Sequence, residues 1–253
     1  MALMKERVHV APLGYELDRI VEPLEELKAD EFILIIQKEE KLGKEHQKNV
    51  EDWLKEHDVE YSIEEAELLD LVDCISVFGR IVHRLKDEGH DVYVNISSST
   101  SISAVAASFA ATLWDAEPYY ARPEYVVHEH EREPGEPMSR GLKDVIPIQK
   151  LHFERPDEEL LRILQYIDRE GRGRDNTVRN RDVIDFLDRE GYLDVGEGVR
   201  NRSQSLNKKF RERYRKELEE KWSFVYLEGE TRARKIGLTE KGKQYLRMFE
   251  YLV

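Results

Sequence analysis

Between Asp91 and Ala111 the chain runs from an alternating stretch, Val92-Tyr93-Val94-Asn95-Ile96, through Ser97-Ser98-Ser99-Thr100-Ser101 into Ile102-Ser103-Ala104-Val105-Ala106-Ala107-Ser108-Phe109-Ala110-Ala111. Alternation predicts a strand, and the hydroxyl residues that end it are preferred helix caps. The helix that follows carries no charge in a chain whose residues are 37% charged, so it has to be covered by other elements. A strand, a tight polar turn and a buried helix form half of a βαβ unit, which restricts the fold to a layered α/β sheet.

The stretches around it extend the pattern. Arg7 to Leu13 reads as a first strand ended by Pro12 and Gly14, followed by a helix through Leu17, Ile20, Leu24 and Leu27. Glu31 to Gln37 is continuously apolar at its centre, as a strand covered on both faces should be. A polar amphipathic helix follows from about Lys44 to His57, then a strand near Val59 to Ile63 and a helix from about Leu68 to Leu85. Strands alternating with helices predict a mostly parallel, Rossmann-like sheet with helices on both faces. Pro118 to Pro137 reads as strand and loop at the edge, and Val145 to Lys150 as a last strand or the linker.

A polar turn between a parallel strand and a helix N-terminus suits an anionic or polar ligand at the carboxyl end of the sheet. A Ser-rich cap that binds nothing is the other reading. The first strand leads into Leu13-Gly14-Tyr15-Glu16-Leu17-Asp18-Arg19 and not a G-x-G-x-x-G loop, so nicotinamide chemistry is disfavoured and no resident cofactor is implied. Asp18 and Arg19 read either as ligand contacts or as an ion pair at the helix start. The single cysteine, Cys74, lies in an apolar-periodic stretch and reads as a small buried hydrophobe. His128-Glu129-His130 has no further His or Cys nearby to complete a metal site, and reads as a solvated loop. No apolar run approaches a membrane span and the start lacks a signal sequence, which predicts a cytoplasmic protein.

Charge divides the chain in two. Residues 1–150 hold 17 basic and 32 acidic residues, residues 151–253 hold 23 and 21, and the whole is −13. From Asp157 the period becomes helical. Leu160 to Ile167 predicts one helix ended at Gly171, Val178 to Leu187 a second ended at Gly191, and Ser203 to Trp222 a third, with Leu206, Phe210, Tyr214, Leu218 and Trp222 spaced by four. Phe224 to Leu227 and Arg232 to Ile236 flank Glu228-Gly229-Glu230-Thr231 as a hairpin, and Leu238 opens a closing helix. Three helices, a hairpin and a helix make a winged helix-turn-helix. Basic residues gather at the start of the third helix, where recognition helices meet the major groove. Arg200, Arg202, Ser203, Gln204, Asn207, Lys208 and Arg211 are candidate base or phosphate contacts, and Arg232, Arg234 and Lys235 on the wing candidate backbone contacts. Arg172, Arg174, Arg179 and Arg181 add to the positive side.

The Leu13 to Arg19 loop, the Asn95 to Thr100 loop and the C-terminal winged helix together resemble archaeal regulators that join a CRISPR-associated Rossmann fold (CARF) domain to a winged helix-turn-helix. The resemblance implies a homodimer in which the two loops face each other across the axis around a cyclic oligoadenylate or another nucleotide. It carries Gly14, Tyr15, Asp18 and Arg19 of the first loop and Asn95, Ser97, Ser98, Ser99, Thr100 and Ser101 of the second over as ligand contacts. Many relatives have two glycines and a Lys or Arg in the second loop; here hydroxyl residues stand there, leaving Arg19 as the cation expected nearest the pocket. The expectation is a sensor and dimerisation domain over residues 1–150, a DNA-binding domain over 151–253, and a ligand-responsive transcriptional regulator. The alternatives are a ring nuclease acting on its nucleotide, and a dimeric adaptor that binds no DNA. A C-terminal ribonuclease of the kind some relatives carry would need a histidine that residues 153–253 lack.

Overall fold

The computed structural model describes residues 5–38, 43–127, 136–150, 153–155, 157–173, 175–196, 200–230 and 234–253. They belong to two compact units, Met1–Glu154 and Arg155–Val253.

The first unit follows the order β1 (Arg7–Pro12), α1 (Leu17–Glu26), β2 (Glu31–Gln37), α2 (Lys44–Glu56), β3 (Glu60–Ala66), α3 (Leu71–Asp87), β4 (Asp91–Asn95), α4 (Ser101–Leu113), β5 (Glu117–Val126) and β6 (Ser139–Pro147). They form one sheet of order β3-β2-β1-β4-β5-β6, with β1 to β5 parallel and β6 antiparallel to β5. In the centre Val10 pairs with Ile33 on one side and Val94 on the other. Helices α1 and α2 pack together, as do α3 and α4. Phe32, Ile33, Leu34 and Ile35 are fully buried, which is what the unbroken apolar run of β2 requires. Phe32 and Leu34 pack with Ile20, Leu24, Val50 and Leu54 in the α1/α2 layer; the period of two sends Ile33 and Ile35 to the other face.

The turn before α3 shifts the limits read from the sequence. Asp70 caps α3 by accepting from Val72 N and Asp73 N, so the helix starts at Leu71 and leaves Leu68 and Leu69 in the turn. Strand β6 begins six residues earlier than the apolar run Val145 to Ile148 suggests. Its first half carries Arg140, Lys143 and Asp144, the charges of an edge strand, and Asp144 pairs with Arg122 on β5. Cys74 is buried, with Sγ donating to Glu67 O at 3.3 Å and burial pushing its thiol up to about 12. His9, whose direction the sequence leaves open, turns into the core.

The second unit is α5 (Glu158–Glu170), β7 (Thr177–Arg179), α6 (Asn180–Arg189), α7 (Arg202–Phe210), β8 (Val225–Glu228), β9 (Lys235–Leu238) and α8 (Glu240–Phe249), with an antiparallel sheet β7-β9-β8. Two expectations are corrected here. Val178 lies in β7, paired with Ile236, and not in the second helix; Leu238 ends β9, and α8 starts after Thr239, which accepts from Gly242 N. The helix begun by α7 continues through π-helical turns at Arg211–Arg215 and Glu217–Lys221. The spacing of its apolar residues accounts for this. A strict interval of four advances by about 40° more than a full turn in an α-helix. The wider π turn reduces that drift and keeps Leu206, Phe210, Tyr214 and Leu218 buried on one side.

No described helix is long and apolar enough to cross a membrane.

Candidate functional site

The sheet order reverses between β1 and β4, the place where open α/β sheets hold ligands beyond their carboxyl ends. The loops after these two strands touch there. A Cβ on Gly14 would lie 2.3 Å from Ser99 N and 2.9 Å from Ser98 Cβ, so only glycine permits the contact. Ser99 itself adopts φ +70°, a left-handed conformation costly for a residue with a side chain.

Most of the hydroxyl loop is used inside the fold. Asn95 Nδ2 donates to Arg19 O at 2.8 Å, and its Oδ1 accepts from Ser97 N at 2.9 Å. Ser97 Oγ accepts from Ala121 N, and Ser98 Oγ donates to Pro12 O at 2.8 Å. Thr100 Oγ1 accepts from Ser103 N as the cap of α4 and donates to Leu68 O at 2.8 Å. Leu68 N donates in turn to Gln37 Oε1 at 2.8 Å, so the chain at Leu68 is tied to the end of β2 and to the start of α4.

Arg19 is not at the ligand position expected of it. Its side chain is buried, Nε donates to Ala121 O at 2.9 Å, and the guanidinium lies 4.8 Å from the centroid of the Tyr120 ring. The Asp18–Arg19 ion pair is not formed either: Asp18 Oδ2 accepts from Gly141 N at 2.7 Å and so ties α1 to β6. Asn95, Ser97 and Ser98 are likewise buried, whereas Ser101 is exposed at the start of α4.

What remains open is a cavity of about 590 Å³ lined by Leu13, Gly14, Tyr15, Glu16, Gln37, Lys38, Gly43, His46, Leu68, Leu69, Ser99, Thr100 and Met138. Of the ten expected ligand residues it contains Gly14, Tyr15, Ser99 and Thr100. Asp18 lines an adjoining hollow of about 350 Å³ that shares Gly14, Tyr15 and His46. Tyr15 is 49% exposed, and its ring and that of His46 form a T-shaped pair with centroids 4.7 Å apart. The first-turn N–H groups of Ser101 and Ile102 have no acceptor within α4, and point their partial positive charge out of its N-terminus. Sequence reasoning missed Lys38, Gln37, His46, Leu68 and Leu69. Lys38 stands two residues past the apolar run of β2, the one signal that a cation follows a buried strand at its carboxyl end.

In the second unit the candidate DNA contacts lie along α7 and the wing. Arg200, Ser203, Gln204, Asn207, Lys208 and Arg211 are exposed. Asn207 Nδ2 donates back to Ser203 O at 2.8 Å. Arg202 is engaged in the fold, with Nη2 2.5 Å from Asp188 Oδ1 and Nη1 3.2 Å from Val195 O, so it links α7 to α6. Arg213 is similarly held by Glu159 at 2.8 Å, and burial, with Glu159 after it, pushes the Tyr214 hydroxyl up. On the wing Lys235 is exposed and Arg234 half-buried. Arg232 lies outside the described residues, as do Arg174 and the His128-Glu129-His130 segment. A hollow of about 520 Å³ brings Arg172, Arg179 and Lys235 together with Glu170 and Asp182 at the base of the wing. Among the described residues no group of three or more His, Cys, Asp or Glu is placed to hold a metal ion.

Residues 7–126 match the family model HFX_2341_N-like, N-terminal, and residues 159–250 match the DUF6293 C-terminal winged helix domain. The chain is 32% identical over 213 residues to protein MJ1513 of Methanocaldococcus jannaschii, itself uncharacterized, covering 74% of this chain and 62% of that protein. It thus spans about three fifths of the length of the curated relative it matches. Among solved structures, Can2 from Sulfobacillus thermosulfidooxidans in complex with cyclic tetra-adenylate aligns with TM-score 0.41 and 14% identity, over 96% of this chain and 62% of Can2. Csm6 of Enterococcus italicus bound to cyclic hexa-2'-fluoro-hexa-dAMP aligns with TM-score 0.41 and 12% identity, over 81% and 54%. Likenesses at that level decide nothing about ligand or activity.

Proposed function

We propose that this chain, which joins an HFX_2341-like N-terminal domain to a DUF6293 C-terminal winged helix domain, is a ligand-responsive regulator that binds DNA. The observation that carries the proposal is the cavity at the sheet's reversal point in a chain whose other unit is a winged helix turning Gln204, Asn207, Lys208 and Arg211 to solvent. An exposed aromatic ring at Tyr15, apolar lining from Leu68 and Leu69, and helix-end N–H groups suit a nucleotide, which has an aromatic base and phosphates. The CARF resemblance makes a cyclic oligoadenylate the first effector to test.

The regulator we infer is a homodimer. Helix α4 has no charged residue, yet Ile102 and Val105 are 37% and 61% exposed, beside Leu69 at 66% and Leu71 at 44%. An outward face of this kind is costly to leave in water, and a second copy covers it with an identical uncharged face. A dimer about the α4 face sets the two cavities on either side of the axis and gives the winged helices the two-fold symmetry of a palindromic site.

DNA binding is measured by fluorescence anisotropy on duplex taken upstream of the gene, at roughly 50 and 200 mM salt, with and without cyclic tetra-adenylate. The expected result is an affinity that falls steeply with salt and shifts with the nucleotide. Replacing Gln204, Asn207 and Arg211 together by Ala should cost about tenfold or more and reduce discrimination between sequences. Binding that is absent with and without nucleotide sinks the proposal.

A further inference from the structure

The cavity lacks a cation where the resemblance places one. The hydroxyl loop contributes no Lys or Arg, and Arg19 is turned away to Ala121. Among the described lining residues Lys38 alone is Lys or Arg. It follows β2 directly, and its backbone is fixed by Lys38 N donating to Ala66 O at 3.0 Å. Its Nζ donates to both carboxylate oxygens of Asp73, at 3.0 and 2.9 Å.

The two partners of this pair are not equally committed to it. The Lys38 side chain is 41% exposed and that of Asp73 13%. Asp73 also accepts from Glu67 N at 2.7 Å, and it stands in the first turn of α3, where the helix end stabilises a carboxylate. Asp73 therefore keeps other partners when Lys38 leaves. Lys38 ends in a compact charge with three donors on a flexible stem, a group that transfers readily from one oxyanion to another. The same cavity is lined by Ser99 and by Thr100, the N-cap of α4.

We propose that Lys38 is the phosphate-binding cation of this cavity and that Asp73 is its built-in competitor: an anionic ligand takes over the Lys38 ammonium from Asp73. The proposal rests on the nucleotide-binding reading above. It places the positive charge at the end of β2, in the cavity that the hydroxyl loop also lines, with the ligand's phosphate held between Lys38 and the start of α4. The carboxylate then acts as a selectivity filter, because a neutral ligand cannot displace it.

The test uses the full chain and two probes, labelled cyclic tetra-adenylate and inorganic triphosphate, each titrated against wild type, Lys38→Met, Lys38→Arg, Asp73→Asn and the double variant Lys38→Met/Asp73→Asn. The expected result is that Lys38→Met weakens each probe by about tenfold or more. Lys38→Arg retains most of the affinity, and Asp73→Asn tightens binding severalfold only when Lys38 is present. Asp73→Asn also alters an acceptor of Glu67 N, so if it fails to fold, the two Lys38 variants decide the matter on a partly exposed side chain. Wild-type affinity in Lys38→Met for both probes overturns the inference while leaving the nucleotide reading intact. Binding of triphosphate that depends on Lys38, without any binding of cyclic tetra-adenylate, upholds the anion site and counts against that nucleotide as effector. Failure of wild type to bind either probe overturns both.

Discussion

At the scale of single residues, the hydrogen bonds beneath the cavity set a pH dependence. His9 Nδ1 lies 3.1 Å from the Tyr119 hydroxyl and its ring stacks on Tyr93 at 4.8 Å, while its Nε2 is buried without a hydrogen-bond partner among the described residues. Burial first, and the positive charge of Arg7 second, lower this imidazole from 6.5 to about 3. The unfolded chain therefore takes up a proton that the folded chain refuses, and stability, full above pH 6.5, is lost as pH falls from there toward about 3. The loss from this group amounts to about 2 kcal/mol between pH 7 and pH 5. Urea midpoints at the two pH values should separate for wild type and come closer together in His9→Phe. An equal separation in the variant assigns the pH dependence to other groups. Gly14, Ser99 and Thr100 were legible in the sequence as a polar turn opposite a glycine. Arg19 reads from the sequence as a ligand contact or as half of an ion pair, because its partner, the backbone of Ala121, lies on a strand a hundred residues later.

At the scale of elements, amphipathic periodicity predicted most helices and strands to within a few residues, and failed where packing and local capping compete with it. Val178 was assigned to a helix because its spacing from Val183 suits one; pairing of β7 with β9 overrides that preference over only three residues. Strand β6 was hidden by charges that an edge strand tolerates on its solvent side. The long helix from Arg202 to Lys221 was found, but its under-winding was not, although the interval of four already implied it. Phe210 is 1% exposed at the junction of α7 with the first π turn. Truncating it to Ala should cost about 3 to 5 kcal/mol, through lost contacts and the cavity left behind. Calorimetry should show a lower transition for the winged helix unit and an unchanged one for the first unit. A single transition that moves as a whole contradicts separate cores.

At the scale of the molecule, the division of charge between residues 1–150 and 151–253 follows the division into two units, and was visible in counts alone. The homodimer is an expectation of the resemblance, but the exposed outer side of α4 is not legible in the sequence, because a helix without charge reads as buried within its own chain. Val105→Glu places a charge in the centre of that face. Sedimentation should show a dimer for wild type and a monomer for the variant, together with weaker binding of palindromic duplex. A variant that sediments as wild type does moves the interface elsewhere.

The joint at Leu68 bears on how such a cavity changes over generations. Both of its hydrogen bonds, to Gln37 and from Thr100, use the backbone N–H and C=O of residue 68, which also lines the cavity. Frame and floor are thereby inherited through different atoms of one residue. A substitution at 68 changes the lining while the tie between the end of β2 and the start of α4 stays in place. The lining at this point is open to change without renegotiating the architecture.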